Sequence, residues 1–344
     1  MKTVALDVHR KRTQLTVALE TGDIITERIV DSKPDVLRRE IANIPGPKRV
    51  VLENSGWAGI IHDAVKEVAE EVVVCDPTRN ALIAQADDSD DRRDAQRLTL
   101  LDRTKSLHAI YVPAEPFRTL RSLVNYESCL TNMLIAIMLR LKAFCRKHGI
   151  AYQGHSIYRL KGRESVIAQF PADNARFQIA SLFRLLDGVR RERLTLRREL
   201  RRLSRTIPAI KRLQTVPGIG PVVGRVLAAW IADPTRFKSR SALSAYAGLG
   251  LKRNISNWRP GKAHASRRGQ RELKRVLFLA ARAVIHWGNN ALAQRYQARR
   301  AAGWEDRKAI RDLARKILFA ACQVWKTKQE YDNGRINVPS TPVA

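Results

Sequence analysis

Two apolar strand patterns in this chain run into carboxylates: Asp7 in "TVALDVH" and Glu53 in "RVVLENSG". Two more acids, Asp91 and Asp94, stand three residues apart in "DSDDRRDAQRL". Any fold that gathers these groups must hold something positive between them, because two carboxylates about 4 Å apart repel by roughly 4 kcal/mol at an effective dielectric near 20. A divalent cation removes that repulsion, and a set of hard oxygen donors suits Mg2+ or Mn2+. The pattern reads as a two-metal site for cutting a phosphodiester.

The order of elements around the acids supports that reading. "TVALDV", "QLTVAL" and "DIITERIV" are short β-rich runs, with "ETGD" as the turn between the second and third. A helical stretch near 34–43, the strand "RVVLEN", a helix near 57–69 and the strand "EVVVC" follow. Three hairpin-linked strands and then α-β-α-β is the order of a ribonuclease-H-like fold. Asp7 falls on its first strand and Glu53 on its fourth, while the i, i+3 spacing of Asp91 and Asp94 puts both on one face of a late helix. Each acid also has a plainer reading. Asp7 alone could be an exposed strand end, and "DDSDD" could cap a helix, a task that suits Asp87, Asp88 and Asp90. Glu53 ends a buried run, where a carboxylate is costly unless paired or ligated. His9 shares the strand face of Asp7 as a neighbour, not a ligand, and Asp102 is expected at the surface.

The middle of the chain changes period. Leu123, Leu130, Ile137 and Phe144 occupy one heptad position beside Leu120, Glu127, Leu134 and Leu141. A second register runs Leu182, Val189, Leu196, Leu203 beside Leu186, Arg193, Leu200, Ile207. Sustained heptads predict a long helical hairpin or coiled coil; self-association through it as a dimer or tetramer is the favoured expectation, and a hairpin within one chain is the alternative. Glu127 and Arg193 are polar residues in seam positions. From Arg190 to Arg212 ten residues are basic and two acidic. Most charge runs are merely solvated helix faces, but this imbalance in a basic chain favours a surface that tracks phosphates, including Arg197, Arg198, Arg201 and Arg202. Such a surface supplies affinity for the backbone and does not read sequence.

Further on, "LQTVPGIGPVVGRVLAAWI" sets P-G-I-G-P between two helical patterns. Gly218 and Gly220 would permit a tight turn whose amides face a phosphate at the next helix N-terminus, as in a helix-hairpin-helix DNA binder; simple helix packing is the alternative. The expected organisation is an α/β catalytic domain over 1–112, a helical coiled-coil hairpin over 113–206, a mostly helical domain over 207–332 and a disordered tail over 333–344.

With 63 basic and 33 acidic residues among 344, the net charge is +30, which predicts a polyanionic partner, most often nucleic acid. No apolar run in the sequence approaches 18 residues, so a membrane role is not expected. "MKTVALDVHR" enters a strand directly without a signal-peptide core, which predicts a cytoplasmic, nucleoid-associated protein. Cys75, Cys129, Cys145 and Cys322 are scattered and read as reduced, buried thiols. The tryptophans Trp57, Trp230, Trp287, Trp304 and Trp325 read as core, and Trp258 as close enough to the chemistry to stack on a base.

Taken together, these residues resemble the DEDD transposases of bacterial insertion sequences, the family that includes the Piv DNA invertases. The resemblance covers nearly the whole chain. It rests on Asp7, Glu53, Asp91 and Asp94, the last in the form "D-x-x-D-A" with Ala95, and on "VPGIGPVVG", "RFKSRSALSAYAGL" and "RRGQRELKRVLFLAA". The resemblance implies an N-terminal domain like a RuvC-type Holliday-junction resolvase, whose acid tetrad holds Mg2+. It also implies a serine nucleophile that follows "AYAGL" in a Ser-Gly context and forms a covalent phosphoserine link to DNA. Here that position falls on Ser256, with Asn257 in place of the glycine and Leu251 in place of a common proline; Ser266 in "HASRRG" is the rival. Lys252, Arg253 and Arg259 flank the serine and either clamp a phosphate or belong to the general basic surface. DNA at the element ends and target is the implied partner, and a structured guide RNA encoded by the element is a further one. Two other readings stay open: a resolvase-like nuclease that uses water, and a non-catalytic DNA- or RNA-binding protein.

Overall fold

The computed structural model describes residues 1–77, 79–80, 91–256, 259–265 and 268–335, with the backbone alone for 252–256, 259–265 and 335. The chain divides into two compact units, Met1–Val112 and Pro113–Ala344.

The first unit is α/β. Its described elements are β1 (Lys2–Val8), β2 (Arg12–Ala18), β3 (Ile24–Asp31), α1 (Pro34–Ala42), β4 (Lys48–Glu53), α2 (Ala58–Val65), β5 (Glu71–Cys75), α3 (Asp91–Arg103) and β6 (Ala109–Ile110). The strands form one mixed sheet in the order β3-β2-β1-β4-β5-β6. β1 pairs antiparallel with β2 and parallel with β4, and β5 is parallel to β4. The period of two along a strand sorts the side chains between two layers. Val4, Leu6, Val50 and Leu52 point to one face, where they pack with Leu37, Ile41, Ile61 and Val65 of α1 and α2. Ala5, Val51 and Val73 point to the other and pack with Leu98 of α3. The short strand β6 was not legible in the sequence, and α2 is shorter than the stretch 57–69 because a turn follows Val65.

Asp102 is buried, against the surface position expected of it. It lies four residues beyond Leu98 on the inward face of α3 and accepts a hydrogen bond from Thr3 Oγ1 at 2.7 Å. Arg49 lies 3.2 Å from its other oxygen, so this carboxylate ties α3 to β1 and β4.

Among its described residues the second unit is helical apart from one hairpin. Its helices are α4 (Phe117–Lys147), α5 (Arg163–Ala168), α6 (Asp173–Arg205), α7 (Pro208–Leu213), α8 (Pro221–Ile231), α9 (Arg240–Tyr246), α10 (Arg271–Trp287), α11 (Ala291–Ala301) and α12 (Asp306–Thr327). Strands β7 (Leu251–Ser256) and β8 (Arg259–Ala265) pair antiparallel between α9 and α10. Helices α4 and α6 run antiparallel: Glu127 meets Arg197 near one end, while Leu141 and Cys145 cluster with Ile179 and Phe183 near the other. Leu120, Glu127, Leu134 and Leu141 are buried in α4 together with Leu130 and Ile137 of the second heptad position, and Leu186, Leu196 and Leu200 are buried in α6, so both positions of each helix contribute to the seam. At the base, Leu120, Leu196 and Leu200 share a single core with Leu213, Leu227, Leu277 and Leu318. Arg295 donates to Asp312 at 2.9 Å, a buried pair that joins α11 to α12.

Helix α4 is long and apolar enough by composition to cross a membrane, a test that the core helix of a soluble protein also passes. Its inward face is occupied by α6. Cys75, Cys145 and Cys322 are buried, but Cys129 is exposed on the outer side of α4. Trp57 and Trp287 are exposed rather than core, because each stands at a helix end where the burial pattern stops. Trp258, Asp87, Asp88, Asp90 and the tail from 336 onward lie outside the described residues.

Candidate active site

Strand parity explains why the acids face one another. Asp7 has the parity of Ala5 and Glu53 that of Val51, and both of those residues pack towards α3. On α3, Asp91 and Asp94 precede buried Ala95 and Leu98 and lie on the same side of the helix. The structure thus brings together the four acids read from the sequence. Asp7 is 15 % exposed at the side chain and Asp91 65 %, so the site opens from a buried floor to solvent at the helix start.

His9 enters this group more closely than a neighbour would. Its Nε2 lies 2.9 Å from Asp7 Oδ2 and 3.2 Å from Asp91 Oδ1. One ligand atom from each of Asp7, His9 and Asp91 falls within 4.8 Å of the others. The sequence signal for His9 was only its i, i+2 relation to Asp7.

The electrostatics show a surplus of negative charge. Burial raises the Asp7 carboxyl above its ordinary range; the His9 contact opposes this, and repulsion from Asp91 and Asp94 adds to it. Burial likewise raises Glu53, with Asp7 and Asp94 repelling it. Glu53 Oε1 is buried with no hydrogen-bond partner. His9 is raised chiefly by its hydrogen bond to Asp7. Arg97 holds Asp94 at 2.9 Å, one cation against several acids. Cys75 stands opposite Glu53 in the sheet, and burial together with that carboxylate pushes its thiol up to about 11, which leaves it an inert packing group. An orphaned carboxylate oxygen, several further carboxylates and one imidazole form a donor set that fits Mg2+ or Mn2+.

The second unit carries the remaining candidates. Gly218 adopts φ +84°, and a Cβ there would sit 2.5 Å from the carbonyl oxygen of Ala280, so both conformation and space require glycine. Gly220 differs. It is the extended residue before α8, and a Cβ there would meet nothing within 4 Å, so the turn does not need it to be glycine. Of the basic candidates on α6, Arg198 and Arg201 are exposed. Arg197 is committed to Glu127 at 2.7 Å, and Arg202 grips Glu199 at 2.9 and 3.1 Å. Ser256 closes β7 and pairs in register with Arg259 of β8. The side chains of Ser256, Lys252, Arg253 and Arg259, and all of Asn257 and Ser266, lie outside the described residues.

Comparison with known proteins places a transposase signature on this second unit. Residues 210–297, from α7 into α11, match the model of the transposase IS116/IS110/IS902 family. The chain is 32 % identical over 145 residues to the insertion element IS110 uncharacterized 43.6 kDa protein of Streptomyces coelicolor, a match covering 41 % of this chain and 36 % of that one. It is 27 % identical over 147 residues to the IS116 uncharacterized 44.8 kDa protein of Streptomyces clavuligerus, covering 42 % and 35 % of the two chains. It is also 26 % identical over 206 residues to a probable family 20 transposase of Pseudomonas aeruginosa, covering 58 % and 60 %. The matched segments thus span about a third of each Streptomyces relative and three fifths of the Pseudomonas one. Over these segments the chain is similar to insertion-element and transposase proteins.

Proposed function

We propose that the protein is a DNA transposase or site-specific recombinase that cuts and rejoins DNA through the acid group of its first unit and a serine of its second. The observation that carries this reading is the convergence of Asp7, Glu53, Asp91 and Asp94 on one mouth, at a cost in buried charge, in a chain with a transposase signature. The strand order β3-β2-β1-β4-β5, antiparallel then parallel, supports a ribonuclease-H-like, RuvC-like architecture for the first unit.

In this reading Asp7, Glu53, Asp91 and Asp94 hold Mg2+ or Mn2+, which supplies positive charge to the scissile phosphate and the leaving oxygen. The raised carboxyls of Asp7 and Glu53 are the groups that gain most from such a cation. His9 holds Asp7 and Asp91 in place beside one another. Ser256 is the nucleophile: its Oγ–P bond forms as the phosphodiester bond breaks, and the freed DNA hydroxyl takes up the proton. The resulting phosphoserine conserves bond energy for rejoining. The helical hairpin supports a coiled-coil assembly into a homo-oligomer. A guide RNA encoded by the element is compatible with the +30 charge, as is a cytoplasmic site of action on DNA.

The test is to incubate the protein with its native flanking DNA and Mg2+, denature it, and look for DNA that stays attached. Attachment in the wild type, lost in both Ser256→Ala and Glu53→Gln, is the expected result. Cleavage without attachment that survives Ser256→Ala would favour a hydrolytic resolvase and remove the serine from the mechanism.

A further inference from the structure

Glu127 occupies a seam position of α4 and is buried. Arg197 of α6 donates through Nε to its Oε1 at 2.7 Å, and the Arg225 guanidinium of α8 lies 3.9 Å from Oε2. Arg193 and Arg201 stand one turn either side of Arg197, so the three form a ladder along one face of α6. Arg225 is 5 % exposed, Arg197 is 38 % exposed at the side chain and Arg201 is exposed, so the cluster has a closed floor and an open rim.

Arg197, Arg225 and Arg193 therefore share a single carboxylate, and the charge of Arg201 reaches Arg225. Burial lowers the Arg225 pKa; Glu127 opposes that fall, and the charges of Arg197 and Arg201 deepen it. Burial also lowers Arg193, and Arg197 repels it. The Nε atoms of Arg193 and Arg225 are buried with no hydrogen-bond partner. Glu127 has two oxygens and one charge, which leaves the Nε atoms of Arg193 and Arg225 unpartnered. Helix pairing does not ask for this arrangement either, since Leu186 and Leu200 fill the same heptad position as Arg193. A backbone phosphodiester adds a second negative charge and two further non-bridging acceptor oxygens beside Glu127, and guanidinium forks match it geometrically.

We propose that this cluster is a seat for one nucleic-acid backbone phosphate, which enters past Arg197 and Arg201 and is held by them with Arg193 and Arg225. Glu127 is the internal carboxylate that shares the arginines with the phosphate and keeps the empty seat folded. The inference rests on the nucleic-acid partner named above but not on the acid group or the serine, so it is tested in EDTA, where no metal-dependent cleavage can contribute.

The experiment titrates the full-length protein with inorganic phosphate against chloride at matched ionic strength and follows thermal unfolding. Phosphate is expected to stabilise the wild type beyond chloride. Glu127→Gln, which removes the competitor, is expected to bind phosphate about tenfold more tightly, and Arg225→Gln about tenfold more weakly, the scale of one charge-assisted hydrogen bond. If Arg225→Gln does not fold, the exposed Arg201→Gln carries the same expectation. Equal effects of phosphate and chloride in the wild type and in Glu127→Gln would overturn the proposal. Oligonucleotides then name the source. A salt slope reduced by about one in Arg201→Gln on duplex DNA, or only on single-stranded RNA, assigns the phosphate to that polymer. An unchanged slope on both would overturn the nucleic-acid assignment even where inorganic phosphate binds.

Discussion

The acid mouth of the first unit and the arginine cluster of the second are opposite in sign and alike in design. In one, Asp7 and Glu53 are half-buried carboxylates among further acids, and Glu53 keeps an oxygen without a partner. In the other, buried Arg225 and partly buried Arg193 stand among further arginines, each with a buried, unpartnered Nε. Both regions store electrostatic cost that a purely structural site would have removed. They differ in how far the chain neutralises itself. The acids receive one imidazole and one arginine at the edge, whereas the arginines enclose a whole carboxylate. The first arrangement suits a small cation that sits among its ligands, and the second an anion that competes with a resident one.

The largest expected effect lies on the acid side. Glu53→Gln or Asp7→Asn should lower Mg2+-dependent DNA cleavage by roughly 10⁴-fold or more, the scale for losing one member of a catalytic unit. In metal-free protein the same substitutions should leave the melting temperature unchanged or raise it, because they remove repulsion. A fall in stability together with retained cleavage would break the comparison on this side.

On the basic side the sign of the stability effect reverses. Glu127→Gln should cost about 3 kcal/mol in chloride, because it strips the counter-charge from the buried Arg225, and urea unfolding would measure it. Phosphate should recover part of that loss. A neutral outcome would mean that water already solvates Arg225.

The two glycines of the P-G-I-G-P turn give a smaller and sharper contrast. Gly218→Ala should destabilise by at least about 2 kcal/mol, from left-handed backbone strain and the clash with the Ala280 carbonyl. Gly220→Ala should cost less than about 1 kcal/mol, the usual difference between glycine and alanine before a helix. Paired thermal melts would decide it, and similar losses in both would contradict the geometry.

The smallest effect belongs to the hairpin tip, where Arg163 pairs with Asp187, at 2.9 Å through one of its two contacts. The Arg163 hydrogen bond holds the Asp187 carboxyl below its usual range. A depressed folded-state pKa adds stability that is present above the unfolded value, near 4, and is lost as pH falls through the folded one. The pair is partly solvated, so the contribution is below about 1 kcal/mol. Comparing Asp187→Asn with the wild type by thermal melts at pH 7 and pH 3 would show a gap only at the higher pH.

Much of this was legible without coordinates. Period-two alternation in "TVALDV" and "RVVLE" determined which face Asp7 and Glu53 take, and helical spacing put Asp91 and Asp94 on one side of α3. Such patterns are local, because strand and helix geometry repeats within a few residues. The heptads of α4 and α6 are local in the same way and set the inward stripe of each helix. What needed the tertiary structure were contacts between segments far apart in the chain. No local rule links Asp102 to Thr3 and Arg49, so its burial was missed. Arg197 read as one member of a phosphate-tracking basic stripe, and only the fold brought Glu127 of α4 against it and Arg225 of α8 beside that carboxylate. The sequence by itself determined which elements form and which faces carry charge. Only the folded chain decided which charges meet, because ion pairing falls off over a few ångströms and those distances are made by packing, not by spacing along the chain.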